Sequence, residues 1–229
     1  MIILAFETST EACSVALWND GELRERFGVA PRRHAELALP WAGELLAEAG
    51  IARSRVDAVA VGRGPGAFTG VRLGVGLAQG IALALDVPVA PVSTLAALAM
   101  QARGSRVLAA IDARMGEVYL GAFERDGDGM RALQDEAVGK PDAIALPDGD
   151  GWEGVGTGWA AVDGALALRV GARVASVDAS ALPHAADVAR LAAPMLSRGE
   201  GIAPERVEPA YLRNHVALTL AEQLAARSR

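Results

Sequence analysis

Lysine is almost absent from this chain: Lys140 is the only one in 229 residues, although Lys and Arg together number 22. A phosphate loop in which a lysine follows a run of glycines is therefore excluded. Cysteine is equally scarce, and the single Cys13 rules out an internal disulfide. Its place in an alternating stretch reads as a packed small hydrophobe, not a thiolate. The three histidines, His34, His184 and His215, fall in unrelated segments and form no HxxxH pair. They read as surface or capping residues, and no dedicated zinc or iron site is expected. Ser9, Ser14 and Ser93 lack a G-x-S-x-G setting, which argues against a serine hydrolase. Basic character is lacking too, since the net charge of −6 leaves no overall electrostatic footprint for nucleic acid. The start MIILAFETST has neither a basic leader nor a long apolar one, so a cytoplasmic protein is expected.

Apolar residues are plentiful, at 52%, enough for one large domain or two smaller lobes. The most informative stretch is GRGPGAFTGVRLG, Gly62 to Gly74, which joins the apolar run Val56 to Val61 to another ending near Leu85. It predicts strand, glycine loop, helix. Gly62, Gly64 and Gly66 permit close backbone approach, and a helix start offers free N–H groups to an anion. Two readings stand side by side: a nucleotide-phosphate site, or glycines placed where segments pack closely. In the helix, Leu73, Leu77, Ile81 and Leu85 form one stripe and Gly70, Gly74, Ala78 and Ala82 another, a pattern that calls for neighbours on more than one side. The run from Leu73 to Leu85 is short of the roughly 20 residues that cross a bilayer. A helix from about His34 to Ala49 supplies one neighbour, with Leu37, Trp41 and Leu45 on one face and Leu46 beside them. Pro40 is expected to kink it or to mark its first turn.

An internal repeat organises the chain. Ile2 to Gly21 and Leu108 to Gly127 share an apolar run, an acidic residue, a short polar turn, an alternating strand and a D-G turn. Glu7 aligns with Asp112, and Cys13, Val15 and Leu17 align with Val118, Leu120 and Ala122. After the first hairpin come a strand Glu22 to Phe27, a helix, a strand, the glycine loop with its helix, a strand Pro88 to Val92 and a helix Thr94 to Ala102. Such β-β-β-α-β-α-β-α order predicts a mixed sheet covered by helices, the unit of the actin, sugar-kinase and Hsp70 (ASKHA) architecture. The expected lobes are residues 1–103 and 104–214, with a tail, 215–229, that packs on the first. The second lobe is expected to repeat only the opening of the first; the segment from Asp126 to Gly158 is broken by Gly and Pro and is assigned no element. A late helix follows Pro183, with Val188, Leu191, Ala192 and Met195 on one side.

The blocks FETSTEACSVAL, RHAELALP, GRGPGAFTGVRLG, VSTLAALA, IDARMGEVYLG and AYLR, spread from Ile2 to Leu212, resemble the TsaB (YeaZ) family. That resemblance implies the two-lobed ASKHA fold and a non-catalytic subunit in threonylcarbamoyladenosine formation beside the tRNA anticodon. Its implied partners are a TsaD-type catalytic subunit, a TsaE-type ATPase in the full complex, tRNA indirectly, and a second copy of the chain when alone. The surface expected to meet the catalytic subunit comprises Leu37, Trp41, Leu45, Val71, Gly74, Leu77, Ala78 and Ile81.

In nucleotide-using members of this architecture, the acidic residue closing the first strand lies near phosphate and magnesium. Glu7, Thr8, Ser9 and Thr10, with Gly64 and Gly66, occupy that place here and are the residues through which ATP or ADP with Mg would bind, weakly or at the subunit junction. Gly154 to Trp159 is the only counterpart in the second lobe. Asp112, Arg114 and Glu117 read as an ion-pair network in which Arg114 sits between two carboxylates. The competing functional reading is an ATP-dependent kinase or carbamoyl-type transferase acting alone in an inter-lobe cleft.

Overall fold

The computed structural model describes residues 1–213; the expected packing of the tail 215–229, and His215, lie outside them. The first half is built on β1 (Ile2–Glu7), β2 (Ala12–Asn19), β3 (Glu22–Val29), β4 (Ala58–Gly62) and β5 (Val89–Val92), in the order β3-β2-β1-β4-β5. The three leading strands are antiparallel, whereas β4 and β5 run parallel to β1. Parallel pairing requires crossovers. They are supplied by α1 (His34–Glu48), between β3 and β4, and by α2 (Phe68–Leu85), between β4 and β5.

Side-chain alternation gives this sheet two different faces. Leu4, Phe6, Cys13, Val15, Leu17, Val59 and Val61 form a bulky face covered by α1 and α2. Ile3, Ala5, Ala16, Ala60, Ala90 and Val92 form a small-residue face. Against it lies α5 (Ala185–Ser197), whose Ala185, Ala189 and Ala192 allow close approach. The late helix predicted from sequence therefore exists, and it covers the opposite half of the chain from the one that precedes it.

The second sheet contains β6 (Arg106–Arg114), β7 (Glu117–Asp126), β8 (Gly129–Ala132), β9 (Ala137–Gly139), β10 (Trp152–Val155) and β11 (Val174–Asp178). Its order is β11-β10-β6-β7-β8, with β9 also paired to β7, and β10 and β11 parallel to β6. This is the topology of the first sheet, so the repeat extends beyond the opening hairpin to all five strand positions. The expectation of a repeat limited to the opening is corrected. The likeness is hard to see in sequence because the counterpart of α1 is missing: the segment from Lys140 to Asp150 between β9 and β10 contains no helix. Val118, Leu120 and Ala122 point into a core with Leu108, Trp152, Trp159 and Leu166 of α4 (Ala161–Val170), as their aligned counterparts in β2 point toward α1 and α2. The other face meets Leu95 and Leu98 of α3 (Thr94–Ala99). The expected boundary at residues 103/104 is thus crossed twice, by α3 packing on the second sheet and by α5 packing on the first.

Pro40 neither ends α1 nor lies in its first turn; the helix continues through it to Glu48. The ring is on the exposed side of the second turn. At 18 residues, α2 is longer than its Leu73 to Leu85 run and apolar enough to match a membrane span by length and composition. Its face of Gly70, Val71, Gly74, Val75, Ala78 and Ala82 is buried in the protein.

Candidate functional site

The turn between β1 and β2, Thr8 to Glu11, is where nucleotide contacts were expected. The Glu7 carboxyl is 1% exposed. It accepts a hydrogen bond from the Ser9 backbone N–H at 2.6 Å and one from Thr94 Oγ1 at 3.0 Å. Burial raises its pKa, and those hydrogen bonds partly offset the shift. A Cβ at Gly62 would overlap Glu7 Oε2, so glycine at the end of β4 is what gives this carboxyl its room. Thr94 Oγ1 also accepts the Gly64 N–H at 3.2 Å and lies 3.0 Å from Ser9 Oγ. Glu7 is consequently a structural tie between β1, the turn and α3, with both oxygens engaged inside the protein.

The glycine loop packs directly on the same turn. Ala67 N–H donates to Ser9 O at 2.7 Å, and Thr8 Oγ1 donates to Gly70 O at 2.8 Å. Added Cβ atoms at Gly66 and Gly70 would overlap the Ser9 and Thr8 carbonyls, and one at Gly74 would lie 2.7 Å from Thr8 Oγ1. These glycines serve close packing, the second of the two readings of the motif. Glycines also permit close packing in the second half, where Cβ atoms at Gly156 and Gly158 would strike Ala110 of β6. His34, at the start of α1, is also buried, and its Nε2 lies 3.0 Å from Thr10 O and 3.1 Å from Ala12 O. With only carbonyl partners there, Nε2 carries the proton.

A cleft of about 960 Å³ opens between the two sheets. Of the expected nucleotide residues, Ser9, Thr10 and Gly66 line it, whereas Glu7, Thr8 and Gly64 do not. Asp112, Tyr119, Thr157 and Arg213 line its other side. Asp112 accepts two hydrogen bonds from Arg114, both at 2.7 Å, from the backbone N–H and from Nη1. Glu117 instead accepts Arg213 Nη2 at 2.5 Å, and the same nitrogen donates to Ala113 O at 3.1 Å. The expected network with Arg114 between two carboxylates is corrected: the segment after α5 supplies the arginine for Glu117. At the cleft mouth Arg72 stacks over Phe68, 3.6 Å from the ring centroid, and its Nε donates to Tyr211 Oη at 2.7 Å. Among the described residues no group of three or more His, Cys, Asp or Glu is placed to hold a metal ion.

Of the expected partner surface, Leu45, Val71, Gly74 and Ala78 are enclosed by the protein itself. Leu37, Trp41, Leu77 and Ile81 are half-buried, packed at the margin of the first core with one side outward. Beside Leu77 and Ile81, α2 displays Gly76 and Gly80, which have nothing within 4 Å of an added Cβ, and Leu83, which is 61% exposed, whereas Trp41 packs over Gly28 of β3. On α1, Gly43 is equally open and Leu39 is 50% exposed. The small-residue stripe singled out in sequence is therefore the inward one; a second, outward stripe four residues apart was missed. The signal for it was present, since glycine in an exposed helix interior costs about 1 kcal/mol relative to alanine and invites a reason.

A family model for TsaD, described as tRNA N6-adenosine threonylcarbamoyltransferase, matches residues 19–219. The tRNA threonylcarbamoyladenosine biosynthesis protein TsaB of Escherichia coli K12 is 44% identical over 230 residues, covering 95% of this chain and 96% of that protein. Its counterpart in Haemophilus influenzae is 41% identical over 94% of this chain and 95% of its own length. The chain belongs to the TsaB (YeaZ) family. A solved structure of YeaZ from Pseudomonas aeruginosa is 49% identical, with a TM-score of 0.86 over 92% of this chain and 99% of its own.

Another Pseudomonas aeruginosa structure, 48% identical with a TM-score of 0.86, is described as similar to peptidase YEAZ. In this TsaB-family chain Cys13 is fully buried, and burial first, then the Glu7 charge, pushes its thiol up to about 11, which makes it a poor nucleophile. What the arrangement offers instead is a helix pair with an apolar, glycine-lined outer face.

Proposed function

We propose that this chain is a non-catalytic subunit in tRNA threonylcarbamoyladenosine biosynthesis, with an ASKHA fold, and that it binds a TsaD-type catalytic subunit through the outer faces of α1 and α2. The observation that carries the reading is the open Gly76 and Gly80 stripe beside half-buried Leu77 and Ile81 on α2, with exposed Leu39 and open Gly43 on α1. Glycines with empty space above them on an apolar helix face suit the close approach of another helix. Because the chain itself matches a TsaD family model, a TsaD-type partner has the same helix pair to offer, and the two pairs meet as a four-helix packing. Alone, the same face serves a second copy. A TsaE-type ATPase joins the assembly, tRNA is engaged indirectly, and the work is cytoplasmic.

The enclosed Glu7 carboxyl, which has no oxygen turned to the cleft, supports weak ATP or ADP binding at most, or binding only at the subunit junction, over the reading of a kinase or carbamoyl-type transferase acting alone. The test is titration of the TsaD homologue of the same organism into wild-type and Leu77→Asp protein. Association lost by the substitution is the expected result, and undiminished association would place the interface elsewhere.

A further inference from the structure

The turn that closes β1 touches the starts of both helices assigned above to the partner face. On the α2 side, Thr8 Oγ1 donates to Gly70 O and Ser9 O accepts the Ala67 N–H, while Gly66, Gly70 and Gly74 let the helix lie against backbone. On the α1 side, the buried His34 directs Nε2–H at the carbonyls of Thr10 and Ala12. Residues 29 to 34 are held by one further bond, Ala30 N–H to Glu11 O at 3.0 Å. From below, Glu7 fixes the turn through the Ser9 N–H. Five consecutive residues thus anchor both helices, each through buried bonds at its first turn.

We propose that His34 and Thr8 are positioning residues: the β1–β2 turn acts as a common mount that sets the register of α1 against α2 and thereby the shape of the partner-binding face. The inference rests on the reading of that face given above. The residues that α1 and α2 place in the first core are Ala, Leu and Val, whose contacts permit sliding; the buried directional bonds that forbid it are at this turn. A hydrogen bond fixes distance and angle, whereas apolar contact tolerates small shifts. His34 acts through a proton on Nε2 and two backbone carbonyls, so a side chain that places one N–H donor there replaces it. Thr8 acts through a hydroxyl proton, which serine retains and valine does not.

The experiment measures affinity for the TsaD-type subunit by calorimetry, using full-length His34→Phe, His34→Gln, Thr8→Val and Thr8→Ser, with Leu166→Ala, a core change in the second half, as the stability control. Loss of about tenfold or more in affinity is expected for His34→Phe and Thr8→Val, with recovery toward wild type in His34→Gln and Thr8→Ser. Leu166→Ala lowers thermal stability and leaves affinity unchanged. Wild-type affinity in His34→Phe, or an equal loss in His34→Gln, overturns the assignment for His34. Should His34→Phe fail to fold, the Thr8 pair decides alone: equal affinities of Thr8→Val and Thr8→Ser overturn the mount. If wild-type protein does not bind the subunit at all, the proposed function fails, a result distinct from any of these.

Discussion

The two exposed glycines of α2 allow stability and association to be driven in opposite directions. Gly76 and Gly80 lie in the interior of an 18-residue helix, have ordinary helical backbone, and have nothing within 4 Å of an added Cβ. Alanine at each should therefore gain the difference in helix propensity with no steric cost, about 1 kcal/mol per site. Together they give about 2 kcal/mol, which for a chain of this size raises Tm by roughly 4 to 8 °C. The assay is urea unfolding and calorimetry of Gly76→Ala/Gly80→Ala at a concentration where the chain is monomeric, because self-association would add its own stabilisation. Leucine at the same positions should keep most of that stability but fill the groove, weakening binding of the TsaD-type subunit by at least about tenfold. If the double alanine variant is destabilised, the glycines are needed by the protein's own fold; if the double leucine variant binds as wild type, no helix packs there.

Gly62→Ala should be strongly destabilising, by about 3 kcal/mol or more, since the new methyl displaces a carboxyl that cannot leave its buried bonds without losing them, a drop measurable in the same urea titration. Cys13 should resist thiol reagents at neutral pH in the native protein and react with one equivalent in denaturant; native reaction within minutes would contradict its burial. At the start of α5, His184 Nδ1 lies 2.9 Å from Glu25 Oε2, and that hydrogen bond raises the His184 pKa above its ordinary 6.5. Burial works to raise the Glu25 carboxyl, but bonds from His184, Ser14 and the Ala186 N–H outweigh it and hold it below 4.5. The histidine's contribution is complete below pH 6.5 and fades as pH rises through its raised value. That of the carboxylate is complete above pH 4.5 and fades as pH falls through its lowered one. Stability owed to the pair is thus greatest between about pH 4.5 and 6.5. His184→Ala should flatten the decline above that window, and an unchanged pH profile would show that the pair adds nothing.

Much of this architecture is legible in the sequence because alternation and turn signals are local. Strands β1 to β7 and helices α1, α2 and α5 fall where apolar periodicity puts them, and the match of β2 with β7 holds side chain by side chain. What is not legible depends on partners distant in sequence. Small residues at positions 70, 74, 78 and 82 look the same whether they face their own sheet or another subunit, and only the fold shows Thr8 against them. Arg213 reaches Glu117 across 96 residues of chain, a pairing that no spacing rule encodes. The parallel strands β10 and β11 escaped notice because they are short, one is largely exposed, and the helix that would have framed them as a repeat is absent. The glycine motif was ambiguous for a physical reason: close backbone approach to a phosphate and to a carbonyl make the same demand on sequence.

In the function proposed above, this chain contributes by binding a catalytic subunit and not by catalysis of its own. The most direct test is reconstitution of tRNA threonylcarbamoylation from the TsaD homologue and the remaining components of the same organism, with wild-type chain, without it, and with Leu77→Asp. Modification is expected only with the wild-type chain, present in a stable complex with the catalytic subunit. Equal modification in all three reactions would contradict it.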